Sequence, residues 1–135
     1  VFSKPARLMP GTVTGVGEDV SGVWLDHARG GSGAPIPTSI ADSLRGREYS
    51  SFDSFRRAFW AEASKDTRLA GQLSEDSLER MRNGKAPRAR LADAAGKRIS
   101  HEIHHVELIS QGGEVYNVDN LRVQTPKNHV EIHQD

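Results

Sequence analysis

The sequence predicts a mixed α+β fold, with a helical N-terminal part and a C-terminal unit of two strands and a closing helix. Three observations carry this. Phe52, Phe55, Phe59 and Trp60 recur at helical spacing. Arg98 to Ile109 and Leu121 to Gln124 have strand character on either side of a Gly112-Gly113 turn. Thr125-Pro126 is a strong helix start, with Thr as N-cap and Pro at the first helical position.

Residues 1–22 are rich in Gly, Pro, Thr and Val and read as an extended, loosely structured lead-in. Trp24 and Leu25 open a short apolar patch, which the Gly- and Ser-rich run Ala28 to Gly33 breaks. Pro35-Ile36-Pro37 leads into a helix that Thr38 or Ser39 can cap, with Ile40, Ala41 and Leu44 on its apolar side, and Gly46 ends it. Ser51 or Asp53 opens the aromatic helix, whose rings are expected in the core while Arg56 and Arg57 point outward. Asp66-Thr67 starts a shorter element with Leu69 and Leu73. Ser74 to Ser77 caps another that carries Leu78 and Met81. Residues 83–96 lack apolar periodicity and read as irregular surface. No repeat and no linker divides the chain, so one domain over residues 1–135 is expected, with 98–135 as a distinct unit within it.

Composition narrows the chemistry. There is no cysteine, so disulfides and thiolate metal sites are excluded and any metal must sit on nitrogen and oxygen. No apolar run approaches the ~18 residues of a membrane span. The N-terminus has no cationic-then-apolar leader, and Val as the first residue is expected of a fragment or processed piece. Formal net charge is zero, which argues weakly against a nucleic-acid binder. The average hides a gradient, because Arg80, Arg82, Lys85, Arg88, Arg90, Lys97 and Arg98 crowd one stretch. A local basic surface can still face phosphate.

Five of the six histidines lie in the last third: His101, His104, His105, His129 and His133. His129 and His133 are four apart on the closing helix, so both rings share one face, the arrangement by which a helix offers two imidazoles to one ion. His104 or His105 can add a third ligand from the strand, leaving an open coordination position. Adjacent strand residues point to opposite sides, so one of these two should face the metal and the other elsewhere.

Glu102-Ile103-His104-His105, Ile109 to Tyr116, Asp119 to Val123, Thr125-Pro126-Lys127 and His129-x-x-x-His133 together resemble the HNH endonuclease motif. More narrowly, they resemble the DNase domain of nuclease colicins and S-type pyocins. The likeness extends through Trp24-Leu25-Asp26, Ser32 to Pro37, Ile40-Ala41-Asp42 and Ser51 to Trp60. The resemblance implies a ββα-metal motif over 98–135 and a metal-dependent, non-specific DNA endonuclease acting as a cytotoxic bacteriocin domain. It implies one divalent ion (Zn²⁺, Ni²⁺, Mg²⁺ or Mn²⁺) on His104, His129 and His133, and His105 as general base. Asn120 would hold the loop that orients His105. Arg98 and Glu102 would pair beside the metal, with Arg98 touching the scissile phosphate. Arg7, Asp53, Arg56 and Lys127 match positions lining the cleft for double-stranded DNA. Arg80, Arg82, Lys85, Arg88, Arg90 and Lys97 fall in the stretch, about 74–100, that matches an exosite for a small acidic immunity protein. The isolated domain is expected to be a monomer without a membrane span. It would be released by the producing cell without a signal peptide and act in the cytoplasm of the target bacterium. Val106 and Leu108 replace the acid and the proline common in the family, Ile99 replaces a residue that is often basic, and the charge is neutral where relatives are basic. His101 has no role in this scheme, and its loss is expected to be mild. Two other readings stay open: a non-catalytic zinc-binding protein-interaction module, and an HNH nuclease of other specificity.

Overall fold

The structure, a computed structural model, describes residues 5–132. In chain order the elements are β1 (Gly11–Thr12), β2 (Ala34–Pro35), α1 (Thr38–Leu44), β3 (Glu48–Tyr49), α2 (Phe52–Lys65), α3 (Thr67–Ala70), α4 (Glu75–Arg82), β4 (Glu102–His105), β5 (Leu121–Gln124) and α5 (Pro126–Ile132). Short 3₁₀ turns include Trp24–Arg29, Leu91–Asp93 and Ile109–Gln111. The mixed α+β class predicted from the sequence is the class observed.

Helix α2 is the centre of the core. Its ring spacing places Phe52, Phe55, Phe59 and Trp60 on one face, and each is at most 1% exposed. Trp24 meets Phe59 and Trp60 at centroid distances of 6.1 and 6.0 Å, edge-on and tilted, so the short apolar patch at residue 24 is part of the core. Offset and edge-on ring pairs add to the area burial. Arg56 and Arg57 lie on the outer face and pair with Asp53. Ser51 settles the start of α2, its hydroxyl accepting from Ser54 N at 3.3 Å. Ser74 caps α4 in the same way, accepting from Ser77 N at 3.2 Å, and Asp66 accepts from Arg68 N and Leu69 N at the start of α3. Each such cap satisfies amides that the first helical turn leaves unpaired.

The end that carries His104 and His105 is a three-stranded antiparallel sheet of order β2-β5-β4. Register pairs Glu102 with Gln124, His104 with Arg122 and His105 with Leu121. Thr125 Oγ1 accepts from Asn128 N at 3.2 Å, so α5 starts where Thr125-Pro126 places it.

Three expectations are corrected. The strand predicted over 98–109 is only Glu102–His105, because β5 has four residues to pair with it. The flanking backbone finds other partners: Arg98 and Ser100 bridge back to Ala95 and Arg88, and Val106 N donates to Asn120 O at 2.8 Å. The lead-in is pinned where it is described, since β1 pairs with β3, Thr14 bridges to Asn117, and Val13 and Val20 are buried. Neither Thr38 nor Ser39 caps α1. The cap position is Pro37, which has no side-chain hydrogen bond, and the Ser39 hydroxyl donates to Asp66 instead.

Candidate active site

Strand alternation separates the two adjacent histidines, as expected. His105 turns toward α2, where its ring lies 4.8 Å from the Phe52 ring, and it keeps 8% of its surface exposed. His105 Nε2 is 3.1 Å from Val115 O. A carbonyl only accepts, so Nε2 carries the proton and the neutral ring presents its lone pair at Nδ1. Burial pushes the His105 pKa below the usual histidine value; the Val115 bond opposes this, and the charge of Arg7 adds to the lowering. Arg7 sits over the opposite partner of this stack, its guanidinium 5.0 Å from the Phe52 ring centroid.

Asn120 pins the loop that ends next to Val115. The Asn120 amide accepts from Glu107 N at 2.8 Å and donates to Glu107 O at 3.1 Å and Glu114 O at 2.9 Å. One side chain therefore closes the loop from 107 to 114 at both ends. Gly113 makes the closure possible, because a Cβ there would lie 1.9 Å from Glu107 O. The chain of dependence runs from Asn120 to the loop, to Val115, to the tautomer of His105.

His104 turns toward α5, and its ring lies edge-on to His129 at 5.1 Å. Glu102 Oε1 is 2.8 Å from His129 Nδ1. The carboxylate only accepts, so His129 donates from Nδ1, which leaves the lone pair of the neutral ring at Nε2. Arg98 grips the same carboxylate with Nε at 2.8 Å and with Nη2. Burial would raise the Glu102 pKa, but the hydrogen bonds from Arg98 and His129 outweigh it and hold the group below the ordinary carboxylate range. A charge-assisted, two-pronged pair of this kind is strong and directional. The Glu102–His129 contact is not readable from sequence, and the family resemblance implies only the pairing of Glu102 with Arg98. His133, the third expected ligand, lies outside the described residues. Among the described residues no three His, Asp or Glu side chains form a metal-holding group. Two imidazoles side by side, one oriented by a carboxylate, fit a divalent ion with nitrogen ligands.

The remaining expected site residues are placed as follows. Asp53 is exposed and pairs with Arg56 and Arg57, and its hydrogen bond with Arg56 holds its pKa low. Lys127 is exposed in the first turn of α5. Of the basic stretch, Lys85, Arg88 and Lys97 are exposed. Arg82 pairs with Glu75 at 2.9 Å and Arg90 with Asp93 at 2.8 Å. Arg80 is half-buried and donates to Ala86 O at 3.0 Å and Ser100 Oγ at 3.2 Å, so it clamps the two limbs of the 86–100 loop.

Two residues escaped the sequence reading. Asp93 is 8% exposed and receives both Arg90 and Arg29, tying the loop to the Trp24–Arg29 turn. His101, given only a flanking place, tucks under the same loop, with Nδ1 3.0 Å from Pro87 O. Burial lowers its pKa; the Pro87 bond and Asp93 oppose this, and Arg29 reinforces it. A histidine with a lowered folded pKa binds fewer protons folded than unfolded, so stability rises with pH. Its contribution is intact above about pH 6.5 and is lost as pH falls below that value. In excess chelator, the melting temperature of the parent should decline between about pH 7 and 5. His101→Gln should flatten that decline, and an equally steep decline in the variant would contradict the burial of a neutral ring.

Residues 11–134 match the family model described as the colicin/pyocin-S2 DNase domain, and the chain belongs to this family. It is 52% identical over 124 residues to colicin E8 of Escherichia coli, covering 92% of this chain and 60% of that protein. It is 47% identical over 133 residues to pyocin S2 of Pseudomonas aeruginosa, covering 98% of this chain and 19% of that protein. The chain thus spans less than two thirds of these relatives. Among solved structures, the mutant nuclease domain of pyocin S8 with its cognate immunity protein superposes with a TM-score of 0.89 at 46% identity, covering 91% of this chain and 98% of that one. The pyocin AP41 DNase–immunity complex gives 0.89 at 45% identity, covering 92% and 97%. DNases of this family are metal-dependent. The bacteriocin relatives are released by producing cells and act on target bacteria. Among the described residues no helix is long and apolar enough to cross a membrane.

Proposed function

We propose that the chain is a single DNase domain of a bacteriocin, a metal-dependent and non-specific DNA endonuclease whose ββα-metal motif spans 98–135. The observation that carries this is the division of labour at β4: His105 is fixed with its lone pair at Nδ1, while His104 and the Glu102-oriented His129 lie together on the α5 side. His104, His129 and His133 hold one divalent ion, which is Zn²⁺, Ni²⁺, Mg²⁺ or Mn²⁺. When bound, it neutralises charge on the phosphate and on the leaving oxygen.

The protein groups do the rest. His105 Nδ1 removes a proton from the attacking water, and its neutral form persists at pH 7 because burial lowers its pKa. Val115 and Asn120 keep that nitrogen aimed. Arg98, fixed by Glu102, donates to the scissile phosphate and offsets charge as it builds. Arg7, Arg56 and Lys127 bind the flanking backbone of double-stranded DNA, and Asp53 sets the direction of Arg56.

Because the two pyocin structures contain immunity proteins, a small acidic protein of that kind is the natural inhibitor of this chain, bound at the face that carries Arg80, Arg82, Lys85, Arg88, Arg90 and Lys97. The domain itself is monomeric. Release from a producing cell and action in the cytoplasm of a target bacterium follow the same reading. The test pairs two assays on one sample. Adding a divalent ion to chelated protein should raise the melting temperature and switch on plasmid cleavage. Stabilisation without cleavage by any ion would instead make the chain a zinc-binding module.

A further inference from the structure

An open groove leads away from Arg98 and Glu102 toward the loop after α4. Its walls carry six cations: Arg56, Arg57, Arg80, Lys85, Lys97 and Arg98. Glu102 is the one carboxylate lining it, and Arg98 and His129 engage that group. Asp53 pairs with Arg56 and Arg57 from the side. Six cations against these two carboxylates leave four positive charges in excess, on a chain whose formal net charge is zero. The adjoining depression on the other side of Arg80 is mixed, because Asp76 and Glu79 face Arg88 and Arg90 there.

The groove is also held in shape. Arg80 binds Ala86 O and Ser100 Oγ, one residue from each limb of the loop. Ala89 N donates to Ile99 O at 2.8 Å, and Ala95 bridges to Arg98 three residues along. Gly84 lies so close to α2 that a Cβ there would meet the Arg57 Cβ at 3.0 Å, which brings Lys85 beside Arg57. A preformed row of cations binds a polyanion without first paying to order a loop.

We propose that this groove is a phosphate track, in which Lys85 and Lys97 hold the DNA backbone that leads away from the phosphate at Arg98. Its direction, its one-sided charge and its continuity with Arg98 select a nucleic-acid strand. A surface built only for an acidic protein would have no need to run into the hydrolytic centre. DNA and the acidic inhibitor then share Lys85 and Lys97, and each excludes the other by direct competition as well as by bulk. The inference rests on the reading of the chain as a DNA endonuclease.

The test is the salt dependence of duplex DNA binding in excess chelator, where nothing is cut. Each phosphate contact contributes about 0.9 to the slope of log affinity against log salt. Lys85→Gln/Lys97→Gln should therefore be shallower than the parent by about 1.8. Arg47→Gln/Lys65→Gln removes two cations that lie outside the groove and should keep the parental slope. A parental slope in the Lys85/Lys97 variant would overturn the track, and so would an equal drop in both variants, which would make the effect one of overall charge. Parent protein that neither binds nor cuts DNA would instead sink the endonuclease reading.

Discussion

His105→Ala should cut DNA about 10²–10⁴-fold more slowly than the parent at saturating divalent ion, the loss expected when a positioned general base is removed. His105 Nε2 is committed to Val115 O, so only Nδ1 can take a proton, and the ring is held against Phe52 on the α2 side of β4. His104, His129 and Glu102, the groups proposed to hold and orient the ion, lie on the other side and keep their contacts in the variant. The variant should therefore still melt at a higher temperature with ion than with chelator. Removing the ring also uncovers part of Phe52 and costs some stability, which the chelator comparison measures separately. Cleavage at the parental rate, with the metal response intact, would show that another group activates the water.

Glu102→Ala should weaken ion binding about 10- to 100-fold, the usual cost of losing the partner that orients a metal-binding imidazole. Glu102 stands between two functional groups: it holds His129 at Nδ1 and Arg98 at both Nε and Nη2. Its removal takes away the 2.8 Å anchor at His129 Nδ1 and the two-pronged anchor of Arg98. Two defects should then appear together. More ion is needed for half-maximal cleavage, and the rate stays low when ion is saturating. Glu102→Gln keeps an acceptor for one donor and should fall between Ala and the parent. Titration with a divalent ion, read by calorimetry and by cleavage, separates the two defects. An ion affinity within twofold of the parent would contradict the orienting role.

Much of this architecture could be read before the fold was known, and the reasons are physical. Phe52, Phe55, Phe59 and Trp60 recur with the period of a helix face, so both the element and its buried side were legible. Thr125-Pro126 carries its own cap chemistry, and α5 begins there. The pattern over 98–109 overstates the strand because side-chain pattern says nothing about the length of the pairing partner, and β5 offers only Leu121–Gln124. Residues 83–96 looked irregular because their order comes from Arg80, Asp93 and backbone bridges to 98–101, none of which leaves a periodic trace.

The site divides in the same way. Histidine spacing and strand alternation expose the cluster and the divergence of His104 from His105. Two features of the site are invisible in sequence because backbone carbonyls and distant side chains create them. One is the lone pair of His105 at Nδ1, which the Val115 carbonyl imposes. The other is the link from Glu102 to His129, which joins residues 27 positions apart across β4 and α5.

The neutral net charge ceases to argue against DNA once charge is placed in space. Acids such as Asp119 are spent on structure, where its carboxylate accepts from Val16 N and Gly17 N. Six cations instead line the groove that ends at Arg98. Local potential governs the approach of a polyanion, and net charge is a poor guide to it.

As proposed, this one domain hydrolyses DNA with little regard to sequence when a divalent ion is supplied. The direct measurement is cleavage of two unrelated plasmids by chelated protein reloaded in turn with Mg²⁺, Mn²⁺, Ni²⁺ and Zn²⁺, with the break positions mapped. The account predicts no cleavage in chelator, and breaks scattered over both plasmids with at least one of the ions. Absence of cleavage with all four, or breaks confined to one short sequence, would contradict it.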